Sequence, residues 1–293
     1  MLIPFNHAYN APNTERYLAE VLSNRHWSGD GPFTKKCSAF LSKQLDGAST
    51  LVTPSGTDAL EMCAILLDLN PGDEIIMPSF TFSSTANAFV LRGAVPVFVD
   101  IREDTINLDE NLIEKAITSK TKAVIPVHYA GVACEMDAIE QICKQHKLPI
   151  VEDAAHAIGS KYKGKALGNI GLMNAFSFHE TKNFSSGEGG AFATSSAEMF
   201  ARAEIIREKG TNRSQFFRGQ IDKYRWVDLG SSFLPSEFQT AVLWSQLEGF
   251  AAIQEMRMKI WDQYQTMLAP LEEKGWLRRP VVPADCVHNA HLY

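Results

Sequence analysis

Glu74-Ile75-Ile76-Met77 and Val95-Pro96-Val97-Phe98-Val99 are short apolar runs, and the stretch from Ala86 to Leu91 between them carries apolar residues at helical spacing. Strand, helix and strand in so short a span read as a βαβ unit, whose two strands run parallel. The near-continuous hydrophobicity of each run predicts strands covered on both faces. Turn residues set the limits: Asn70-Pro71-Gly72-Asp73 stops the preceding helix and Arg92-Gly93 stops the next.

The same rhythm extends outward. Ala59 to Leu67 reads as a helix upstream. Downstream, Ala123-Val124-Ile125-Pro126-Val127 and Pro149-Ile150-Val151 read as strands, with helices over Leu112 to Ile117 and Met136 to Cys143. From about Thr53 to Asp153 this predicts an α/β fold with a mostly parallel central sheet flanked by helices. Ala175-Phe176-Ser177-Phe178 and Gly190-Ala191-Phe192-Ala193-Thr194 read as two more strands around a glycine-rich loop. Beyond Pro235 an almost unbroken helical pattern runs through Val242-Leu243-Trp244, Leu247, Ile253 and Trp261 to Leu268. These patterns divide the chain into a large domain over 1-240 and, over 241-293, a long helix with the start of a smaller C-terminal domain. Val287 to Tyr293 reads as the start of a strand, so that small domain is expected to be largely missing.

The chain has 293 residues, 45% hydrophobic and 21% charged, a composition that supports a buried core and excludes disorder. A formal net charge of -6 leaves no basic field for a phosphodiester backbone, so no nucleic-acid partner is expected. No run approaches the roughly 18 apolar residues of a spanning helix. Met1-Leu2-Ile3-Pro4-Phe5-Asn6 lacks the basic and apolar regions of a leader, and a cytoplasmic location without membrane insertion is expected. The five cysteines, Cys37, Cys63, Cys134, Cys143 and Cys286, form no Cys-x-x-Cys pair, which argues against a disulfide framework and a zinc site.

Three segments carry possible chemistry. Thr53-Pro54-Ser55-Gly56-Thr57-Asp58 leads small residues into a helix, which suits either a phosphate at the helix N-terminus or a simple cap by Ser55 or Thr57. Ile150-Val151-Glu152-Asp153-Ala154-Ala155-His156 ends a strand on two acids. A carboxylate there borders the ligand crevice of a parallel sheet, unless Asp153 only caps a helix. His156 alone reads as a hydrogen-bonded neighbour. In Phe176-Ser177-Phe178-His179-Glu180-Thr181-Lys182-Asn183-Phe184 a single lysine lies between aromatic residues and the loop Gly187-Glu188-Gly189-Gly190. Desolvation there makes a neutral, nucleophilic amine, whereas a solvated loop lysine does nothing. Together a phosphate cradle, a strand-end carboxylate and a loop lysine are what pyridoxal phosphate needs for its phosphate, ring nitrogen and aldehyde. Phe80-Thr81-Phe82 offers an aromatic plate.

Pro54 to Leu60, Pro78 to Phe82, Val127-His128-Tyr129-Ala130-Gly131, Glu152 to His156 and Ser177 to Lys182, followed by Gly187-Glu188-Gly189-Gly190, occur in an order and spacing that resembles the DegT/DnrJ/StrS family of pyridoxal-phosphate sugar aminotransferases. The resemblance covers essentially the whole chain. It implies an aspartate-aminotransferase-like fold (fold type I) and a homodimer with sites at the subunit interface. It also implies two catalytic residues, Lys182 joined to the cofactor aldehyde and Asp153 at the pyridinium nitrogen. Phe82 would stack on the ring, Gly56, Thr57 and Ser177 would hold the phosphate, and His156 would lie beside the ring. Ser232, in Gly230-Ser231-Ser232, stands where many members carry an asparagine that reaches the partner's phosphate. Lys182 argues against the related sugar dehydratases, which carry histidine there.

Gly131 to Asp137 and Ile206 to Gly219 resemble the members that use L-glutamate to aminate C4 of dTDP-4-dehydro-6-deoxy-D-glucose for enterobacterial common antigen. Another nucleotide keto-sugar, or a non-catalytic chain that binds cofactor or dimerises, are the alternatives. Family chains run several tens of residues beyond the position of Tyr293.

Overall fold

The structure, a computed structural model, describes residues 6–293; Met1 to Phe5, the stretch read for a leader, lies outside them. Two helices come first, α1 (Thr14–Asn24) and α2 (Pro32–Gln44). The expected alternation follows as β1 (Ser49–Thr53), α3 (Gly56–Leu66), β2 (Glu74–Pro78), α4 (Ser83–Val90), β3 (Val95–Val99), α5 (Glu110–Ala116), β4 (Thr121–Val124), α6 (Met136–His146) and β5 (Val151–Asp153). A small hairpin of β6 (Lys161–Tyr162) and β7 (Lys165–Ala166) precedes β8 (Met173–Ser177) and β9 (Gly190–Thr194). The chain continues through α7 (Ala197–Arg207), α8 (Arg213–Phe217), α9 (Glu237–Leu247) and α10 (Phe250–Glu273) to β10 (Cys286–Val287).

The sheet is mixed but mostly parallel. β2 lies between β3 and β4 and runs parallel to both. Parallel bridges Val124–Ile150 and Val127–Asp153 carry the sheet from β4 to β5, and β5 pairs in parallel with β8. β9 alone runs against the rest, between β8 and β1. The order across the molecule is therefore β3-β2-β4-β5-β8-β9-β1. Side chains alternate between two cores: Ile75, Met77, Ala123 and Ile125 pack on one side, Ile76 and Val124 on the other. Burial on both sides explains why these runs are continuous rather than alternating.

Four expectations need correction or refinement. β3 is not covered on both faces. It is the edge strand, and Val95 and Phe98 stay about half exposed, at 49% and 57%. The helix beyond Pro235 is not continuous: α9 ends before Gly249, and α10 starts anew at Phe250. The boundary read at 240/241 falls inside α9, which packs against α1 and α2. The strand read over Val287 to Tyr293 reduces to β10, which finds its neighbour in β6. The residues after it are not extended sheet, yet Asn289, Ala290 and His291 are buried.

Candidate active site

At the carboxyl ends of β5 and β8 a cavity of about 610 Å³ opens, and it brings together Gly56, Thr57, Phe82, Asp153, His156, Ser177 and Lys182. That edge is where a parallel sheet leaves a crevice.

One wall is the start of α3. Ser55 adopts an extended backbone and its Oγ accepts the Asp58 amide at 3.0 Å, so the cap reading is correct for Ser55. Gly56 and Thr57 form the first turn, where the helix dipole favours an anion. The turn sits very close to β8: a Cβ on Gly56 would stand 2.8 Å from Ser177 Cβ and 3.1 Å from the Phe176 carbonyl oxygen. A Cβ on Gly190 would run into the Ser55 carbonyl and the Gly56 amide. Glycine at both positions lets the α3 turn close onto the sheet. Hydroxyls of Thr57 and Ser84 pair at 2.8 Å on this wall.

The opposite wall is the end of β5, where the acid pair divides its labour. Glu152 is fully buried and accepts amides of Gly168, Ile170 and Gly171 at 2.6–2.8 Å. His128 Nε2 lies 2.8 Å from its other edge. The Cys134 amide donates to His128 Nδ1, which places the imidazole proton on Nε2 and aims it at the carboxylate. Burial alone would raise the Glu152 carboxyl; His128 and the amides outweigh it and hold the group below its ordinary range. Glu152 is thus an anchor. Asp153, the next residue, faces the cavity with Oδ2 accepting the Thr85 hydroxyl at 2.7 Å and Oδ1 the Ala155 amide at 3.1 Å. Since Thr85 spends its proton on Asp153, Thr81 must donate to Thr85 across their 2.7 Å contact.

Lys182 comes from the loop between β8 and β9. Phe178 and Glu180 donate to Gly189 and Gly187 carbonyls, closing the loop like a hairpin. Burial lowers the proton affinity of the Lys182 amine, against the opposing pull of the Asp153 charge. His156 accepts the Ala130 amide on Nδ1 at 3.3 Å, and burial, then the nearby Lys182 charge, pushes it down to about 3. It is a neutral ring. Phe82 stands at the start of α4 with 76% of its surface exposed, whereas Phe80 is engaged edge-on with Tyr129 at 5.0 Å.

A model of the DegT/DnrJ/EryC1/StrS aminotransferase family matches residues 9–293. The chain belongs to that family. This aminotransferase is 35% identical over 274 residues to the Bacillus subtilis spore coat polysaccharide biosynthesis protein SpsC, covering 91% of this chain and 69% of that one. The structure superposes on the putative sugar aminotransferase Spr1654 from Streptococcus pneumoniae with a TM-score of 0.90 at 29% identity, over 100% of this chain and 76% of the other. For S. venezuelae DesV the TM-score is 0.85 at 33% identity, over 96% and 72%.

The cofactor of the family is pyridoxal 5'-phosphate, and Spr1654 is known in PLP, PMP and cofactor-free forms. The residues of this aminotransferase fit it. A helix start with hydroxyls suits the phosphate, a buried carboxylate suits a protonated ring nitrogen, an amine of lowered proton affinity suits the aldehyde, and the exposed Phe82 ring is free to stack. Ser232, expected at the partner's phosphate rather than in this chain's own cavity, is exposed and bridged to Glu208. Thr85 and Tyr129 are cavity residues that the sequence did not single out. Thr85 had a faint signal in its spacing, one turn beyond Thr81 at the start of α4; Tyr129 lay in a motif without an assigned role.

Proposed function

We propose that this aminotransferase is a dTDP-4-amino-4,6-dideoxygalactose transaminase: it moves the amino group of L-glutamate to the 4-keto carbon of dTDP-4-dehydro-6-deoxy-D-glucose, and it works as a homodimer. The observation that carries the chemistry is one cavity lined by Asp153, Lys182 and the start of α3. The sugar class is supported by the names of SpsC and Spr1654, a polysaccharide biosynthesis protein and a putative sugar aminotransferase. The 4-keto sugar is supported by Gly131 to Asp137 and Ile206 to Gly219.

Pyridoxal phosphate, when bound, supplies an electron sink for the carbon that loses a proton. Every other part belongs to the protein. Asp153, held by Thr85 and the Ala155 amide, would keep a proton on the cofactor's ring nitrogen. Gly56, Thr57 and Ser177 bind the phosphate, and Phe82 orients the ring. Lys182 would hold the cofactor's aldehyde, and its free amine would take the proton from the donor Cα and return it to the cofactor carbon that becomes the amine carrier, as general base and then general acid. Its lowered proton affinity suits that exchange. The neutral His156 would lie beside the ring without adding charge next to the lysine.

The test is an absorbance spectrum of the purified chain with pyridoxal phosphate, before and after L-glutamate, in parallel with Lys182→Ala. The native chain is expected to show the lysine-linked chromophore and lose it with glutamate; a chromophore that survives in Lys182→Ala refutes the lysine. A panel of dTDP- and UDP-linked 3- and 4-keto sugars, with the product position read by NMR, tests the substrate.

A further inference from the structure

The segment after β10 packs behind His156, one of the residues that line the cavity. The His291 ring stacks on His156 with centroids 4.0 Å apart and planes 29° apart. Its Nδ1 lies 2.8 Å from Asn183 Oδ1. Asn183 Nδ2 donates to the Asn289 carbonyl at 2.7 Å, which fixes Oδ1 as the acceptor and puts the His291 proton on Nδ1. Asn289 in turn donates to the carbonyls of His156 and Ile158 at 2.7 and 2.9 Å. Arg257 of α10 ties the segment down through the Ala290 and His291 carbonyls. Asn183, Asn289 and His291 are all more than nine-tenths buried. One short segment therefore grips both the residue next to Lys182 and the ring beside it.

We propose that His291 is a positioning residue for Lys182, fixing through Asn183 and the His156 ring where the lysine amine stands in the cavity. The proposal rests on the reading of Lys182 as the amine that anchors the cofactor. A lysine side chain has many rotamers, and neighbours locked by buried hydrogen bonds limit where its stem can go. Charge is consistent with this role. Burial first, and after it the positive charges of Lys182 and Arg257, hold His291 below its ordinary range, so the stacked pair stays neutral next to the amine.

His291→Phe keeps a flat ring and removes the donor. In cofactor-free protein, competitive acetylation followed by mass spectrometry reads the proton affinity of Lys182 against surface lysines. The variant is expected to raise it by about one pH unit. In the loaded enzyme kcat is expected to fall on the order of tenfold while KM for glutamate stays within about twofold. Unchanged Lys182 titration together with unchanged kcat overturns the proposal. If the variant does not fold, the unaltered protein decides. Nitrogen-15 spectra should show His291 neutral with its proton on Nδ1, and both His291 and His156 signals moving when pyridoxal phosphate is added. A proton on Nε2, or a His291 signal indifferent to cofactor, overturns it. Failure of the underlying lysine reading shows up separately, as borohydride reduction of the loaded native chain that leaves Lys182 unmodified.

Discussion

Thr85 Oγ1 lies 2.7 Å from Asp153 Oδ2, joining the start of α4 to the end of β5 across 68 residues of sequence. The bond is buried at both ends, and it aims the carboxylate. Thr85→Val leaves Oδ2 without its donor, at a cost of about 1–3 kcal/mol in stability, and weakens cofactor binding on the order of tenfold because Asp153 is free to turn. Urea denaturation and a fluorescence titration with pyridoxal phosphate check both. Thr85→Ser should recover most of the loss.

Gly190→Ala tests the cradle. The new Cβ meets the Ser55 carbonyl and the Gly56 amide, so the α3 turn must move away from β8 at about 1–3 kcal/mol. Affinity for pyridoxal phosphate should drop while affinity for pyridoxal, which has no phosphate, stays nearly the same. Equal losses for the two would contradict a phosphate at this turn.

Glu152→Gln replaces an acceptor of three amides and an imidazole with a group whose NH₂ faces donors. Breaking such a buried pairing costs about 3 kcal/mol or more. Chemical denaturation should show this loss. The cavity chemistry, measured as the rate of the glutamate half-reaction in the folded fraction, should change far less than in Asp153→Ala.

The histidine stack makes stability depend on acidity. His156 is held at about 3 in the folded protein, against about 6.5 in the unfolded chain. Between those limits the unfolded chain binds the extra proton, so this stabilisation is complete above pH 6.5 and shrinks as pH falls. The slope is at most about 1.4 kcal/mol per pH unit for this group. His291 acts in the same direction. Unfolding free energies between pH 6.5 and 4.5 should fall less steeply for His156→Phe than for the native chain; parallel slopes would refute the neutral stack.

Much of this was legible in the sequence, because central strands buried on two faces advertise themselves as unbroken apolar runs, and the crevice rule then places Asp153. Lys182 stood out by its glycine and aromatic flanks. Edge position is not written locally: Val95 and Phe98 look like core, and only the absence of a strand beyond β3 among the described residues exposes them. Thr85, with only its spacing from Thr81 to mark it, and His291, with nothing, were hard to read for a related reason. Each acts on a residue 68 to 135 positions away, and a hydroxyl or a lone imidazole carries no periodicity to reveal such a partner. Gly249 interrupts a pattern whose apolar spacing runs on unchanged, so the break between α9 and α10 had only one residue to mark it.

The antiparallel β9 sets a clock on synthesis. Ser49 pairs with Thr194, so β1 emerges from the ribosome 145 residues before its one sheet neighbour among the described residues exists. At about 5–20 residues per second that interval is roughly 7–30 s. During it Val52 can pack on Cys37 and Leu41 of α2, but the hydrogen-bonding edge of β1 has no strand to pair with. Newborn chains should therefore lean on holding chaperones until β9 arrives.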